Sequence, residues 1–387
     1  MGRFRNALAG PRLSAVAEVK RRSPSAGDLR PDADPAGLSA QFANAGAAAV
    51  SILVDERFGG TVDDLRAARS ATVGPLLAKG FFTEETQLVD MQAAGADAVL
   101  LLLRDLDDSS AHLMLSCARR LGLDALVEAH DATELQRAVD LGAEIIGVNA
   151  RNLSTFEVDR KAQLELVARV RRHDAIVIAE SGIHSRAQGA AAELAGADAI
   201  LVGSALMRAA DPPAELAEIL SRPLVKVCGL TRQEDVDVAV DAGADMLGFI
   251  LAEQSPRRAP AVLDVPDDRL SVAVFVGEPQ EAQADLVQLY SREEGLVRGR
   301  EARLLREGEP VAEVIDLPWD RGDPLHLQRA AATEGRVMLA GRLGPDNVRE
   351  AVRSVRPWAV DAASKLETEP GIKDHEKVRA FVEAARG

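Results

Sequence analysis

Six side chains in the first half of the chain carry groups suited to acid–base chemistry: Glu18, Lys20, Lys79, Glu128, Asn149 and Glu180. Glu18 and Lys20 stand two apart in Ala15-Val-Ala-Glu-Val-Lys20, so on a strand they share a face. Burying a carboxylate and an ammonium is costly unless they are paired or have a task. The others each close an apolar run. Lys79 ends the run from Pro75, Glu128 that from Ala125, Asn149 that from Ile145, with Arg151 just beyond, and Glu180 that from Ala175. Lys79 can protonate or polarise a carbonyl or hydroxyl, and Glu128 can move a proton during loss of water. Ser181-Gly182 and Gly203-Ser204 are small turns that each open a helix, where backbone N–H groups favour an anion. The set suits a phosphorylated, sugar-like substrate. The blander alternative is a structural ion pair at Glu18 and Lys20 with ordinary tight turns elsewhere.

These residues need a scaffold that brings strand ends together. A short phrase recurs: Ala45-Gly-Ala47, Ala94-Gly-Ala-Asp97, Leu141-Gly-Ala-Glu144, Ala195-Gly-Ala-Asp198 and Ala242-Gly-Ala-Asp245. Each ends an Ala-rich amphipathic stretch, and a wholly apolar strand follows. Gly supplies a left-handed helix stop. Strands apolar on both faces belong to parallel sheets covered by helices. Eight strands are expected in the first part: Ala15–Lys20, Ala48–Val54, Pro75–Lys79, Ala98–Leu103, Ala125–Glu128, Ile145–Asn149, Ala175–Glu180 and Ala199–Gly203. Eight alternating units predict an α/β fold of the (β/α)8, or TIM, barrel type, with chemistry at the C-terminal strand ends and phosphate after strands 7 and 8. No dinucleotide fingerprint follows the first strand.

A chain of 387 residues exceeds one ordinary core. The pattern restarts at Leu224-Val-Lys-Val-Cys-Gly229, after Arg222-Pro223, so domains of residues 1–221 and 222–387 are expected. In the second, seven strands are legible, and Arg292–Pro310 reads as charged and poor in strand character. About 165 residues is short for such a barrel, whose usual lower range is roughly 200. The expectation is two barrels in tandem, the second shortened or degraded by about one βα unit. The net charge of −15 opposes general affinity for nucleic acid or anionic membrane. Two cysteines, Cys117 and Cys228, form no metal spacing and no disulfide framework. His130 is the one histidine near a strand end, and it reads as a loop residue. No metal, cofactor, nucleic acid or membrane partner is expected, only small phosphorylated substrates. The absence of a signal peptide or apolar span points to the cytoplasm. No oligomeric state can be read, and a monomer is compatible with the sequence.

Ala17-Glu-Val-Lys-Arg-Arg-Ser-Pro-Ser25, Phe58-Gly-Gly60, Leu126-Val-Glu128, Gly147-Val-Asn-Ala-Arg-Asn-Leu153, Glu180-Ser-Gly-Ile183 and Leu201-Val-Gly-Ser204 together resemble the indole-3-glycerol phosphate synthases. The resemblance implies decarboxylative ring closure of 1-(o-carboxyphenylamino)-1-deoxyribulose 5-phosphate, giving indole-3-glycerol phosphate, CO2 and water. It makes Lys79 the general acid and Glu128 its acid/base counterpart in dehydration. Lys20 would hold the substrate carboxylate. Glu18 and Asn149 would orient the ring-forming part, Glu180 would line the site, and Ser23, Ser181, Gly182, Gly203 and Ser204 would surround the phosphate. The chain departs from the family at Lys79-Gly80-Phe81, where Lys-Asp-Phe is usual, and in the short stretch before its first strand.

The second half is similar to the phosphoribosylanthranilate isomerases through Lys226-Val-Cys-Gly-Leu-Thr-Arg232, Gly248-Phe-Ile250, Ser255-Pro-Arg257, Leu339-Ala-Gly341, Pro345-Asp-Asn-Val348 and Pro370-Gly-Ile-Lys-Asp374. That family performs an Amadori rearrangement. The resemblance makes Cys228 the general base, Asp316 the general acid and Arg257 the anthranilate ligand. Gly341 and Arg342 occupy the second phosphate turn, and Asp361 and Ser364 follow the last strand. The family's Gln-Leu-His-Gly reads Gln288-Leu-Tyr-Ser291 here, and Asp320-Arg-Gly-Asp-Pro324 replaces its first phosphate loop. The two reactions are neighbouring steps of tryptophan synthesis, so a fused bifunctional enzyme is the leading expectation. The alternatives are a synthase with a non-catalytic second domain, and a synthase-like enzyme for a related arylamine sugar phosphate.

Overall fold

The recurring Gly-Ala-Asp phrase has two structural jobs. Its glycines Gly46, Gly95, Gly142, Gly196 and Gly243 all have positive φ, between 67° and 111°, as a left-handed helix stop requires. Its aspartates clamp the neighbouring strand. Asp97 accepts the backbone N–H of Leu76 at 2.9 Å, Asp198 that of Val177 at 2.8 Å and Asp245 that of Val225 at 2.7 Å. Each carboxylate satisfies the first or second amide of the preceding strand and sets the register of a parallel pair.

The computed structural model describes residues 2–23, 27–151, 157–170, 173–293, 301–317 and 322–387. Pro24 and Ser25 of the first loop, Asn152 and Leu153, and Asp320 and Arg321 lie outside the described residues. The chain forms two units, one ending at Leu220 and one running from Ser221 to Gly387.

In the first unit eight parallel strands close into a barrel: β1 (Ser14–Val19), β2 (Ala49–Leu53), β3 (Leu76–Lys79), β4 (Ala98–Leu102), β5 (Asp124–Ala129), β6 (Ile145–Asn149), β7 (Ile176–Glu180) and β8 (Ala199–Val202). Two apolar layers hold it. Outward residues such as Val50, Val127, Val177 and Ile200 pack under the helices. Inward residues Val16, Leu77, Leu126, Ile178 and Leu201 fill the barrel, and Phe4 and Leu8 of the helix Arg3–Leu8, both fully buried, join them. Moving two residues along a strand climbs one inward layer. Val16 leads to Glu18, Leu77 to Lys79, Leu126 to Glu128 and Ile178 to Glu180. The barrel is therefore greasy below and charged at its C-terminal mouth.

The second unit also closes with eight strands, not the seven expected: β9 (Leu224–Cys228), β10 (Met246–Ile250), β11 (Leu270–Val276), β12 (Leu286–Tyr290), β13 (Ala302–Arg306), β14 (Glu309–Ile315), β15 (Val337–Leu339) and β16 (Ala359–Ala362). The missed strand, β13, runs antiparallel to both its neighbours. It enters a hairpin whose two turn residues, Glu307 and Gly308, have φ of 52° and 83°, the pattern of a two-residue type I′ turn. The charges in Ala302-Arg-Leu-Leu-Arg306 mislead because Ala302 and Leu304 point inward while Arg303 is exposed. A hairpin thus replaces a βα unit. Among the described residues no helix lies between β10 and β14, which is where the unit is shorter, and the barrel still closes. Among the described residues, no helix is long and apolar enough to cross a membrane.

Candidate active sites in the two barrels

At the mouth of the first barrel, Lys79 is the hub. Its Nζ lies 2.7 Å from Glu180 Oε2, 3.3 Å from Glu18 Oε2 and 4.0 Å from Glu128 Oε2. Lys20 Nζ donates to Glu18 Oε1 at 2.7 Å. Asn149 Nδ2 donates to Glu128 Oε1 at 3.0 Å, and its own Oδ1 accepts from the Arg151 amide. The structure thus brings together all six residues read first from the sequence. It gives Asn149 a particular task, which is orienting Glu128. Two glycines make room. A Cβ on Gly147 would stand 2.1 Å from Glu180 Oε1, and one on Gly203 would stand 2.5 Å from Glu18 Oε1.

Burial opposes charge on every group here, and the partners decide which stay ionised. Desolvation would raise Glu18, yet Lys20 and Lys79 hold it down at about 2. Desolvation would lower Lys79, yet Glu18, Glu180 and Glu128 push it well above the ordinary lysine value. Glu180 goes the other way. Burial, reinforced by Glu128, outweighs Lys79 and pushes it up to about 8. Its Oε1 is buried without a hydrogen-bond partner. The empty site therefore holds an ammonium, ionised Glu18 and Glu128, and a Glu180 that keeps its proton at neutral pH. A folded pKa of about 8 against an ordinary 4.5 means that the stabilising contribution of Glu180 is full below about 4.5 and is lost as pH rises through about 8. Thermal unfolding should show Glu180→Gln, which imitates the protonated acid, losing less Tm between pH 6 and pH 9 than the parent. Equal losses would contradict this assignment.

The expected anion cradle lies on adjacent strand ends, since Leu201 on β8 pairs with Glu180 on β7. Ser181 and Gly182 form a left-handed turn, with φ of 68° and 70°. The helix after it starts only at Arg186, so this turn does not itself open a helix as expected. Ser204 does begin one, the short Ser204–Arg208. Arg160, which sequence reasoning overlooked, donates to Gly182 O at 3.1 Å. Ser23 is half-buried after β1, beside the undescribed 24–26.

His130 and Glu134 were also missed. His130 Nε2 lies 3.0 Å from Glu128 Oε1, and its Nδ1 lies 3.0 Å from Glu134 Oε2. The signal was present in the sequence: Leu126, Glu128 and His130 form one inward column at steps of two.

In the second barrel, Cys228 is buried at the end of β9. Burial pushes its thiol up, Lys226 pulls it down and Asp361 pushes it up again. The Lys226 side chain is fully buried, with Nζ 2.9 Å from Gln288 Oε1 and 3.0 Å from Asp361 Oδ2. Gln288 Nε2 donates to the Tyr290 hydroxyl at 2.8 Å, which donates to Asp316 Oδ2 at 2.7 Å. The Leu317 amide donates to Asp316 Oδ1 at 2.6 Å. Asp361 therefore answers Lys226 inside the barrel. Arg257 Nε lies 2.9 and 2.8 Å from the two oxygens of Glu367, which Lys373 also contacts at 2.8 Å. Gly341 and Arg342 form a left-handed turn, with φ of 96° and 59°. A Cβ at Gly341 would meet the Leu317 amide nitrogen at 2.8 Å. Ser364 begins the short 3-10 turn Ser364–Leu366 after β16.

A family model described as indole-3-glycerol phosphate synthase matches residues 2–219. One described as N-(5'phosphoribosyl)anthranilate (PRA) isomerase matches residues 322–384. An indole-3-glycerol phosphate synthase of a Nocardioides species is 48% identical over 200 residues, covering 51% of this chain and 76% of that protein. A multifunctional tryptophan biosynthesis protein of Schizosaccharomyces pombe is 31% identical over 462 aligned positions, covering 99% of this chain. The chain spans 61% of that protein's length. A solved phosphoribosyl anthranilate isomerase of Thermus thermophilus is 29% identical, with a TM-score of 0.34, over 41% of this chain and 96% of its own.

Proposed function

The chain belongs to the indole-3-glycerol phosphate synthase family, and from that premise we propose that it is a fused enzyme of tryptophan synthesis. Residues 1–221 would close the indole ring of 1-(o-carboxyphenylamino)-1-deoxyribulose 5-phosphate with loss of CO2 and water. Residues 222–387 would supply that substrate by Amadori rearrangement of N-(5-phosphoribosyl)anthranilate. The observation that carries the first assignment is the Lys79 ammonium, 2.7 to 4.0 Å from three carboxyl groups at one barrel mouth.

In the proposed ring closure the aryl carbon bearing the carboxylate attacks the ketone carbon. Lys79 protonates the oxygen as it becomes an alkoxide, a stronger base than an amine. Loss of CO2 restores the aromatic ring. Glu128 then takes a proton from the methylene beside nitrogen, the C=C bond forms, and the C–O bond breaks as the hydroxyl takes a proton from Glu180, the neutral acid beside Lys79, and leaves as water. Lys20 holds the carboxylate before it leaves, and the 181–182 and 203–204 turns hold the phosphate. In the second barrel Cys228 takes the proton from the sugar carbon next to the aminated one. Asp316 protonates the ring oxygen that opens, and Arg257 faces the anthranilate carboxylate.

Separate steady-state assays on the intact chain test both assignments. Glu128→Gln should lower the ring-closing kcat by about 10²–10⁴-fold and spare isomerisation. Cys228→Ser should do the reverse. An intact chain that closes the ring yet never isomerises would leave the second barrel a non-catalytic scaffold.

A further inference from the structure

His130 sits between two carboxylates. Its backbone N–H donates to Glu134 Oε2 at 2.9 Å, and its Nδ1 lies 3.0 Å from the same oxygen. An ionised carboxylate oxygen only accepts, so Nδ1 must carry a proton. On the other side Nε2 lies 3.0 Å from Glu128 Oε1, which already accepts from Asn149. A carboxylate 3.0 Å from the ring favours its charged form. The contact is off-axis for a straight hydrogen bond, so it acts mainly as a charge pair. The side chains grade outward: Glu128 is 3% exposed, His130 14% and Glu134 16%. Glu128 also faces Lys79 at 4.0 Å and the protonated Glu180.

We propose that His130 is a positioning residue for the ring-closing site: as an imidazolium braced by Glu134, it holds Glu128 ionised and turns its Oε2 toward Lys79. The role rests on the synthase reading, because it prepares Glu128 to accept the proton lost in dehydration. Lys79 alone is a distant partner for Glu128, being engaged more closely by Glu180 and Glu18. A cation on the opposite side of Glu128 frees Lys79 for the ketone oxygen. The charge balance agrees. Despite its desolvation, His130 is pushed up to about 9 by Glu128 and Glu134, while Glu128 is held at about 2 against its own burial.

Nitrogen-15 NMR of the histidines in the full chain tests the clamp without substrate, with His130→Gln identifying the signal. His130 should remain doubly protonated at pH 8 and titrate at least one unit lower in Glu128→Gln. In the ring-closing assay, His130→Gln removes an opposite charge next to Glu128, so the acidic limb of kcat/KM should move up by about 1–3 units. A limb raised from about 2 to about 3–5 should lift the ratio of kcat/KM at pH 7.5 to that at pH 4 from near one by up to about tenfold. Glu134→Gln, a half-buried and nearly isosteric change in the first turn of the helix Ala132–Asp140, should move the limb the same way by less and covers the case where His130→Gln fails to fold. A His130 signal titrating at the ordinary 6.5, or a limb unmoved in both variants, overturns the proposal even if ring closure is intact. A chain that closes no ring but keeps a high His130 supports the clamp and retires the synthase reading.

Discussion

Lys79→Met should cut the ring-closing kcat at least about 10³-fold, within the range for losing a positioned acid that also stabilises charge, while KM moves by only a few fold. The asymmetry follows from the geometry. In the proposed reading the phosphate and carboxylate are held by Lys20 and by turns on β7 and β8, and Lys20 keeps its 2.7 Å contact to Glu18 when Lys79 is removed. The oxygen that becomes an alkoxide has no other ammonium assigned to it. Methionine keeps the length and the apolar stem, so the barrel mouth should not collapse. It does leave Glu180, Glu18 and Glu128 facing each other without the cation that held them. Their protonation would rise, and stability of the variant should fall as pH rises, because carboxyl pKa values raised in the fold above their unfolded values lose their contribution on deprotonation. Single-turnover assays and Tm at pH 6 and pH 8.5 check both parts. Lys79→Arg should not rescue, since guanidinium is planar and does not release its proton near neutrality. Retention of a tenth of the parent kcat in Lys79→Met would remove Lys79 from the chemistry.

The first barrel was legible because its two periodicities agree. The Gly-Ala phrases close alternate helices, every strand is an apolar run, and the first polar inward residue after that run marks the mouth. Glu18, Lys79, Glu128, Asn149 and Glu180 all fall on that rule. His130 falls on it too, but strand β5 ends at Ala129 and the column continues one residue beyond the last ladder bond. Reading stopped where the hydrogen bonding stopped, although side-chain direction persists past it. Arg160 is different. It opens the helix Arg160–Val170, twenty-two residues from Gly182, and no local pattern announces the meeting.

The second barrel was harder for a physical reason. Parallel strands covered by helices announce themselves as unbroken apolar runs. The hairpin β13–β14 has one face toward the barrel interior and one toward solvent, so its charges look like those of a loop. Likewise, Tyr290 stands where the resembled family has histidine, and its meaning depends on Gln288 and Asp316 being in reach. Both partners are visible only after closure, which an antiparallel strand achieves as well as a parallel one.

Closure of that barrel also places a fully buried ammonium, and removing it should cost much stability. Lys226→Met should destabilise the second barrel by about 3–5 kcal/mol, the range for breaking a buried ion pair from one side. The side chain has 0% exposure, and it is the cation 3.0 Å from Asp361 Oδ2. Asp361 Oδ1 already lacks a hydrogen-bond partner, so the variant would leave a carboxylate with neither charge nor proton to meet it. Desolvation works against the lysine, yet Asp361 and Cys228 push its pKa up, so it remains an ammonium. Both tryptophans, Trp319 and Trp358, lie in the second half, so their fluorescence in urea follows this unit. The companion Asp361→Asn should lose less, since it leaves the lysine Gln288 and an amide oxygen. Lys226→Met with Asp361→Leu should recover much of the deficit, because an apolar pair of similar volume replaces two desolvated charges. Additive losses in the double variant, with no coupling above about 0.5 kcal/mol, would mean that the pair is incidental to the fold and that Lys226 is buried for Gln288 alone.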